Sequence, residues 1–298
     1  MTNTLTSTYP AKHETKHDVR AKIAQLFIYP IKSCAGIELK EAVLTDTGLD
    51  LDRAWMVVDE AGEFVTQRQL PRMALIQPLL TSFDMIVKAP GAKPLKLAID
   101  EVAQSVTVKV WEDTVKAFDM GDEAAHWFSD FLGKTVRLVR FDPEQARLSS
   151  MQWTNGIDAK NGFDDAFAVL VTSVASLKVL NDKLVAAGEN AVTMQRFRPN
   201  VVLTAIEAYD EDRLDTLHIT TQDGVAQLKP VKPCARCPIP DIDPKTGKSS
   251  PVVGDMLQTY RQNPQLDGAV TFGMNAIILA GEGAVLRVGQ SVEADYLF

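Results

Sequence analysis

The chain has 298 residues, 46% of them hydrophobic, enough apolar material for one large domain or two modest ones with a real core. A net charge of -8 and a pI of about 5.1 leave no basic footprint, which argues against nucleic acid or an anionic membrane as primary partner. No apolar run reaches the roughly 18 residues of a membrane span, no signal-peptide core opens the chain, and three cysteines make no disulfide framework, so a reducing cytoplasm is the expected setting.

Residues 1–20 are Thr- and Lys-rich and apolar-poor, and are expected to form a disordered tail. They contain His13-Glu14-Thr15-Lys16-His17, which has the spacing of a zinc-protease motif. That motif works on a packed helix that aligns both imidazoles, and this terminal segment offers none, so no metal is expected there. Ile23–Tyr29 then reads as a strand, followed by a loop over 30–36. Ala54–Val65 reads as strand, turn and strand, and further short strands are expected over Leu95–Ile99, Ser105–Val110 and Val115–Phe118. At Asp122–Leu132 the period changes to that of an amphipathic helix, with Asp122 as N-cap and Gly133 after the last turn. Asp142–Asp158 is polar and irregular, and a domain boundary is placed there, dividing residues 21–142 from 143–298.

The second half opens with a strand over Ala168–Val171, then Thr172-Ser173 and a helix over Val174–Leu184. Hydroxyls at such a junction are ordinary caps, and they can also join the first-turn amides in holding a phosphate. Arg196-Phe197-Arg198-Pro199-Asn200 precedes a strand over Val201–Thr204, and strands over Leu217–Thr221 and Ala226–Leu228 lead to a loop at 232–247. A short helix over Leu257–Arg261 and closing strands over Ala276–Ala280 and Ala284–Val288 complete a mainly β, α+β chain of two β-rich lobes. There is no internal repeat, no G-x-G-x-x-G and no Walker loop.

Two of the three cysteines, Cys234 and Cys237, stand in that loop with Arg236 between them and Lys232 just before. Cations beside a cysteine favour the thiolate, the form that attacks and binds metals. Pro233, Pro238, Pro240 and Pro244 exclude a regular helix and imply a stiffened loop, which speaks against a thioredoxin-type redox pair. A structural zinc site is short of ligands, since only Cys34 and four histidines remain elsewhere. A buried structural pair or a disulfide stays open beside a single thiolate offered to a thiophilic metal or cofactor.

Five motifs stand in order: Tyr29-Pro30-Ile31-Lys32-Ser33-Cys34, Asp52-Arg53-Ala54-Trp55, Phe64-Val65-Thr66-Gln67-Arg68, Phe197-Arg198-Pro199-Asn200 and Lys232-Pro233-Cys234-Ala235-Arg236-Cys237. Together they resemble proteins that join an N-terminal β-barrel domain to a molybdenum-cofactor sulfurase C-terminal (MOSC) domain, above all the amidoxime-reducing components and their bacterial relatives. The resemblance implies molybdenum cofactor (Mo-molybdopterin) held between the two lobes. It assigns Cys237 the molybdenum, and Lys32, Ser33, Arg53, Thr172, Ser173, Arg198 and Asn200 the pterin and its phosphate. Ala235 stands where relatives often carry Ser. The activity implied is reduction of N-hydroxylated compounds (amidoximes, hydroxylamines, N-hydroxylated bases); a cytoplasmic monomer is expected. Neither a membrane anchor nor a ferredoxin extension is seen, so electrons are expected from a separate flavin, haem or iron-sulfur protein. A sulfurase would need a large pyridoxal-phosphate domain; the alternative kept open is a cofactor-binding, carrier or sulfur-transfer module without turnover.

Overall fold

Val19–Ile28 (β1) alternates buried and exposed side chains over its first half, as a strand with one solvated face does. The computed structural model describes residues 17–100, 104–145 and 147–297. The expected tail therefore lies outside the described residues up to Lys16, with His13 and Glu14 of the histidine motif. Strand structure begins at Val19, not Ile23, so Val19 and Arg20 belong to the fold. His17 rests its Nδ1 3.1 Å from Asp295 Oδ2 and stacks on His218.

Six further strands close a barrel with β1: Val169–Ser173 (β2), Val201–Thr204 (β3), Leu217–Thr221 (β4), Gly224–Ala235 (β5), Ala269–Ala280 (β6) and Ser291–Ala294 (β7). The order is β2-β3-β1-β7-β4-β5-β6, and β6 pairs back onto β2. Only β2 and β3 run parallel, joined through the helix Val174–Ala186. At the closing seam Gly273 has φ 77°, and a Cβ there would lie 2.7 Å from Val171 O, so glycine is what lets β6 approach β2. Val19, Ile23, Leu26, Val169, Val171, Leu203, Leu217, Leu228 and Val292 fill the interior.

Residues 55–141 build the other lobe. Its four-stranded sheet runs Trp55–Val58, Arg137–Phe141, Asp113–Asp119, Ser105–Val110, and a three-stranded sheet runs Gln77–Leu80, Asp84–Lys88, Leu95–Ala98. Helix Asp122–Leu132 buries Ala124, Phe128, Phe131 and Leu132 and ends on Gly133 in the left-handed region, as its sequence predicts. Strands hold 41% of the chain and helices 19%, the mainly β, α+β class expected. Residues from the 19–49 stretch, Leu26, Leu44 and Leu49, belong to the barrel core.

Four local expectations are corrected. Asp122 is a first-turn residue paired with Arg137, and Gly121 occupies the cap without a side chain to offer. Phe64 makes only an isolated bridge to Val58, so Ala54–Val65 holds one strand. The helix expected over Leu257–Arg261 spans Val252–Gln258, because Pro251 starts it earlier. The cysteine segment is half strand: β5 continues through Pro233, Cys234 and Ala235. Its pairing with β6 slips between Pro230 and Lys232 and again between Pro233 and Ala235. Such bulges are where a sheet accommodates proline, which has no N–H to give the ladder.

Candidate functional site

The bulged end of β5 carries Lys232, Cys234, Ala235, Arg236 and Cys237 to a cavity of about 200 Å³. Lys32, Ser33 and Arg53 reach it from the segments after β1, and Arg198 and Asn200 from the turn before β3. Residues far apart in sequence thus converge as the motifs imply. Ser33, Arg53 and Arg198 all have left-handed backbones, at φ 66°, 48° and 57°. Each costs about 1–3 kcal/mol for a residue with a Cβ, and such strain concentrates where a site fixes side-chain direction.

Tyr29 is the post on which the arginines hang. Its ring is fully buried, with the Arg53 guanidinium 4.7 Å and that of Arg198 4.1 Å from the centroid. Arg53 also pairs with Asp52 and donates to Asn200 Oδ1 at 3.0 Å. Asn200 completes its set by accepting from Leu170 N at 3.1 Å and donating to Asp52 Oδ2 at 2.7 Å and Phe27 O at 3.3 Å. An asparagine amide makes about four hydrogen bonds, so Asn200 faces the cavity with nothing left to offer and serves to position Arg53.

Five cationic side chains line the cavity against two carboxylates, Asp164 and Asp165, in a protein whose net charge is -8. Lys32 Nζ bonds Phe163 O at 2.7 Å and pairs with Asp165, while burial pulls the lysine below its ordinary range. Burial also lowers Arg198 to about 10, which still leaves it cationic at neutral pH. Desolvation pushes Asp164 up to about 7, against the pull of Arg53 whose Nε lies 3.6 Å away.

Arg236 Nη1 donates to Cys234 Sγ at 3.0 Å, so the arginine between the cysteines serves the first of them. Beside Cys237 stands Arg68; burial opposes its charge, but Asp165 and then Cys237 outweigh that and raise its pKa. Cys34 is fully buried and its thiol is pushed up to about 12, an inert core residue. All three cysteines are free thiols, which removes the disulfide. Among the described residues no group of three or more His, Cys, Asp or Glu is placed to hold a metal, which leaves single thiols as the soft ligands on offer.

Thr172 and Ser173 are the correction. Both are fully buried and neither lines the cavity. Thr172 Oγ1 points to Met194 Sδ at 3.3 Å, and Ser173 Oγ caps its own helix by accepting from Ser176 N at 3.1 Å. Glu211 Oε1 occupies the helix start, 3.2 Å from Ser173 N and 2.6 Å from Ser176 Oγ. The carboxylate already takes the place an external phosphate would need. In their stead the cavity is lined by Asp164, Asp165 and Ala166, which sequence reasoning missed together with Arg68. The available signal was two adjacent aspartates three residues ahead of a fully buried strand, where carboxylates need cationic partners.

Comparison with known proteins matches residues 20–135 to the MOSC N-terminal beta barrel domain and residues 158–293 to the MOSC domain. The rat mitochondrial amidoxime reducing component 2 (Rattus norvegicus) is 34% identical over 253 residues, 80% of this chain and 72% of that protein. The mouse mitochondrial amidoxime-reducing component 1 (Mus musculus) is 36% identical over 251 residues, 80% of this chain and 71% of that protein. The molybdenum cofactor sulfurase of Bos taurus is 30% identical over 290 residues, 91% of this chain but 32% of the sulfurase.

Proposed function

Because this chain belongs to the family that joins a MOSC N-terminal β-barrel domain to a MOSC domain, whose function is tied to molybdenum cofactor, we propose that it is a molybdenum-dependent reductase of N-hydroxylated compounds. The observation that carries this reading is Cys237 in the wall of a cation-lined cavity within an acidic protein. The residues there fit the cofactor. Arg198 Nη2 and Arg236 Nε are buried donors without partners, and an anionic phosphate and an oxygen-rich pterin edge supply the acceptors they lack.

In this reading Cys237 offers the thiolate and Arg68 steadies its charge, while Lys32, Arg53, Arg198 and Arg236 hold the anionic ligand. When bound, the cofactor would supply a metal that gives two electrons to the substrate and is then re-reduced. Removing the hydroxyl oxygen of an amidoxime as water consumes two electrons and two protons. The electrons come from a separate flavin, haem or iron-sulfur protein, and Asp164, with its carboxyl near 7, is a proton-holding group in the cavity wall. Among the described residues no helix is long and apolar enough to cross a membrane.

The names of the two amidoxime-reducing relatives, each covered over about seven tenths of its length, support the reductase reading. A second reading, a cofactor carrier or sulfur-transfer module, draws on the sulfurase match, which spans a third of that enzyme. Purified protein decides between them. Stoichiometric molybdenum with reduction of benzamidoxime by a chemical electron donor is expected, whereas bound cofactor without turnover overturns the reductase in favour of the carrier.

A further inference from the structure

Val110-Trp111-Glu112-Asp113 is the turn that joins the strands Ser105–Val110 and Asp113–Asp119. Val110 pairs with Asp113, so Trp111 opens a two-residue hairpin turn, and its φ is 55°. Glycine is the usual occupant of such a position, where a bulky side chain is strained. The ring gains little burial in exchange, since Trp111 is 44% exposed.

Its neighbours give it a use. The Trp111 ring lies 5.0 Å from the Phe64 ring and carries the Arg68 guanidinium 5.0 Å from its centroid. Phe64 carries Lys32 Nζ in the same way at 5.7 Å, and both distances are within the reach of a cation–π contact. The two cations then converge on one carboxylate: Arg68 Nη2 is 3.0 Å from Asp165 Oδ2, and Lys32 pairs with Oδ1. Asp165 lines the cavity that holds Cys237, and Arg68 stands beside Cys237 as well. Lys32 has only 5% of its side chain exposed and is held by its surroundings. Arg68 has 22% exposed, so a partner is needed to keep it from turning to solvent.

We propose that Trp111 is a positioning residue for the cysteine cavity, its ring holding the Arg68 guanidinium between Asp165 and Cys237. A fixed cation beside a thiol favours the thiolate that a metal needs, whereas an arginine turned to water gives its charge to solvent. Groups behind a ligand set how firmly it holds its metal. This role rests on the reading of Cys237 as the thiolate ligand.

The test dialyses the purified, metal-loaded protein and follows its molybdenum content with time, beside the melting temperature of the cofactor-free protein. Trp111→Gly removes the ring and installs the residue the turn favours, so the melting temperature should stay at or above the parent's while molybdenum is lost about fivefold faster. Trp111→Phe, which keeps a ring, should restore most of the retention. Arg68→Met should lose molybdenum about tenfold faster, and adding Trp111→Gly to it should change nothing further, because the ring acts through the guanidinium. If Trp111→Gly misfolds, Trp111→Asn, which also tolerates a positive φ, decides by the same measures. Cys237→Ser separates this role from the reading beneath it: a serine variant that keeps molybdenum like the parent overturns both. Where the serine variant loses its metal, the role of Trp111 alone is overturned by parental retention in Trp111→Gly, by a loss that adds in full to that of Arg68→Met, or by a loss matched by a fallen melting temperature.

Discussion

Two places in this molecule are built to attract negative charge, and they end differently. At the start of helix Val174–Ala186 the free amides and hydroxyls receive Glu211, a carboxylate from the chain itself, and the region closes into core. At the end of β5 five cations meet only two carboxylates, and buried arginine nitrogens remain unpaired. The same electrostatic attraction serves architecture where the protein supplies the counter-charge, and leaves room for an external anion where it does not. Residue type does not separate the two cases; the inventory of partners does.

The sharpest way to break this contrast is at the sulfur. Cys237→Ser should lower amidoxime reduction by about 100-fold or more and strip the metal, while Cys234→Ser keeps a substantial fraction, because Arg236 rather than a metal is its partner. Equal losses, measured by activity and metal analysis, would assign the metal to both thiols. Next in size are the cations. Arg198→Ala should weaken cofactor retention by roughly 10- to 100-fold, matching the about 1.5–3 kcal/mol of a charge-assisted hydrogen bond, as read by pterin released on dialysis. A variant that retains pterin like the parent would remove Arg198 from the site.

At the helix start the expected outcome is the reverse. Ser173→Ala should cost about 1 kcal/mol of stability through the lost cap and leave cofactor content unchanged, measured by denaturant unfolding beside pterin analysis. Loss of pterin without loss of stability would return the hydroxyl pair to the ligand. The smallest effect is a slope. Asp164 in the cofactor-free fold holds its proton up to about 7 against an ordinary 3.8, so between those values the folded chain binds more protons than the unfolded one. Its contribution to stability is therefore lost as pH rises through that window. Asp164→Asn should flatten the melting temperature of the cofactor-free protein against pH there, and an unchanged slope would place the titration elsewhere.

Much of this was legible in the sequence, for identifiable reasons. Alternation in Ser105–Val110 and the apolar face of Asp122–Leu132 are local signals, and local elements followed. The convergence of Lys32, Arg53, Arg198 and Cys237 was carried by motifs in order rather than by any local rule. Partner exchange was invisible: nothing near Ser173 announces Glu211, thirty-eight residues on, and nothing near Asn200 announces that Asp52, Arg53, Phe27 and Leu170 use up its amide. Proline in Lys232-Pro233-Cys234 misled because the rule against proline in strands relaxes at bulges, and a bulge depends on the opposite strand.

One feature of the barrel bears on how the molecule is made. β1 pairs with β3 and with β7, so Lys22 meets Thr204 on one edge and Val19 meets Ala294 on the other. On a ribosome β1 is made well before β3 and β7, and the whole of residues 55–141 is synthesised in between. Closure is then a late, high-contact-order event, slow because loop entropy is spent before the pairing is gained. Until Ser291–Ala294 is in place, the Val19–Lys22 stretch of β1 presents an unpaired edge, a template for pairing with another chain.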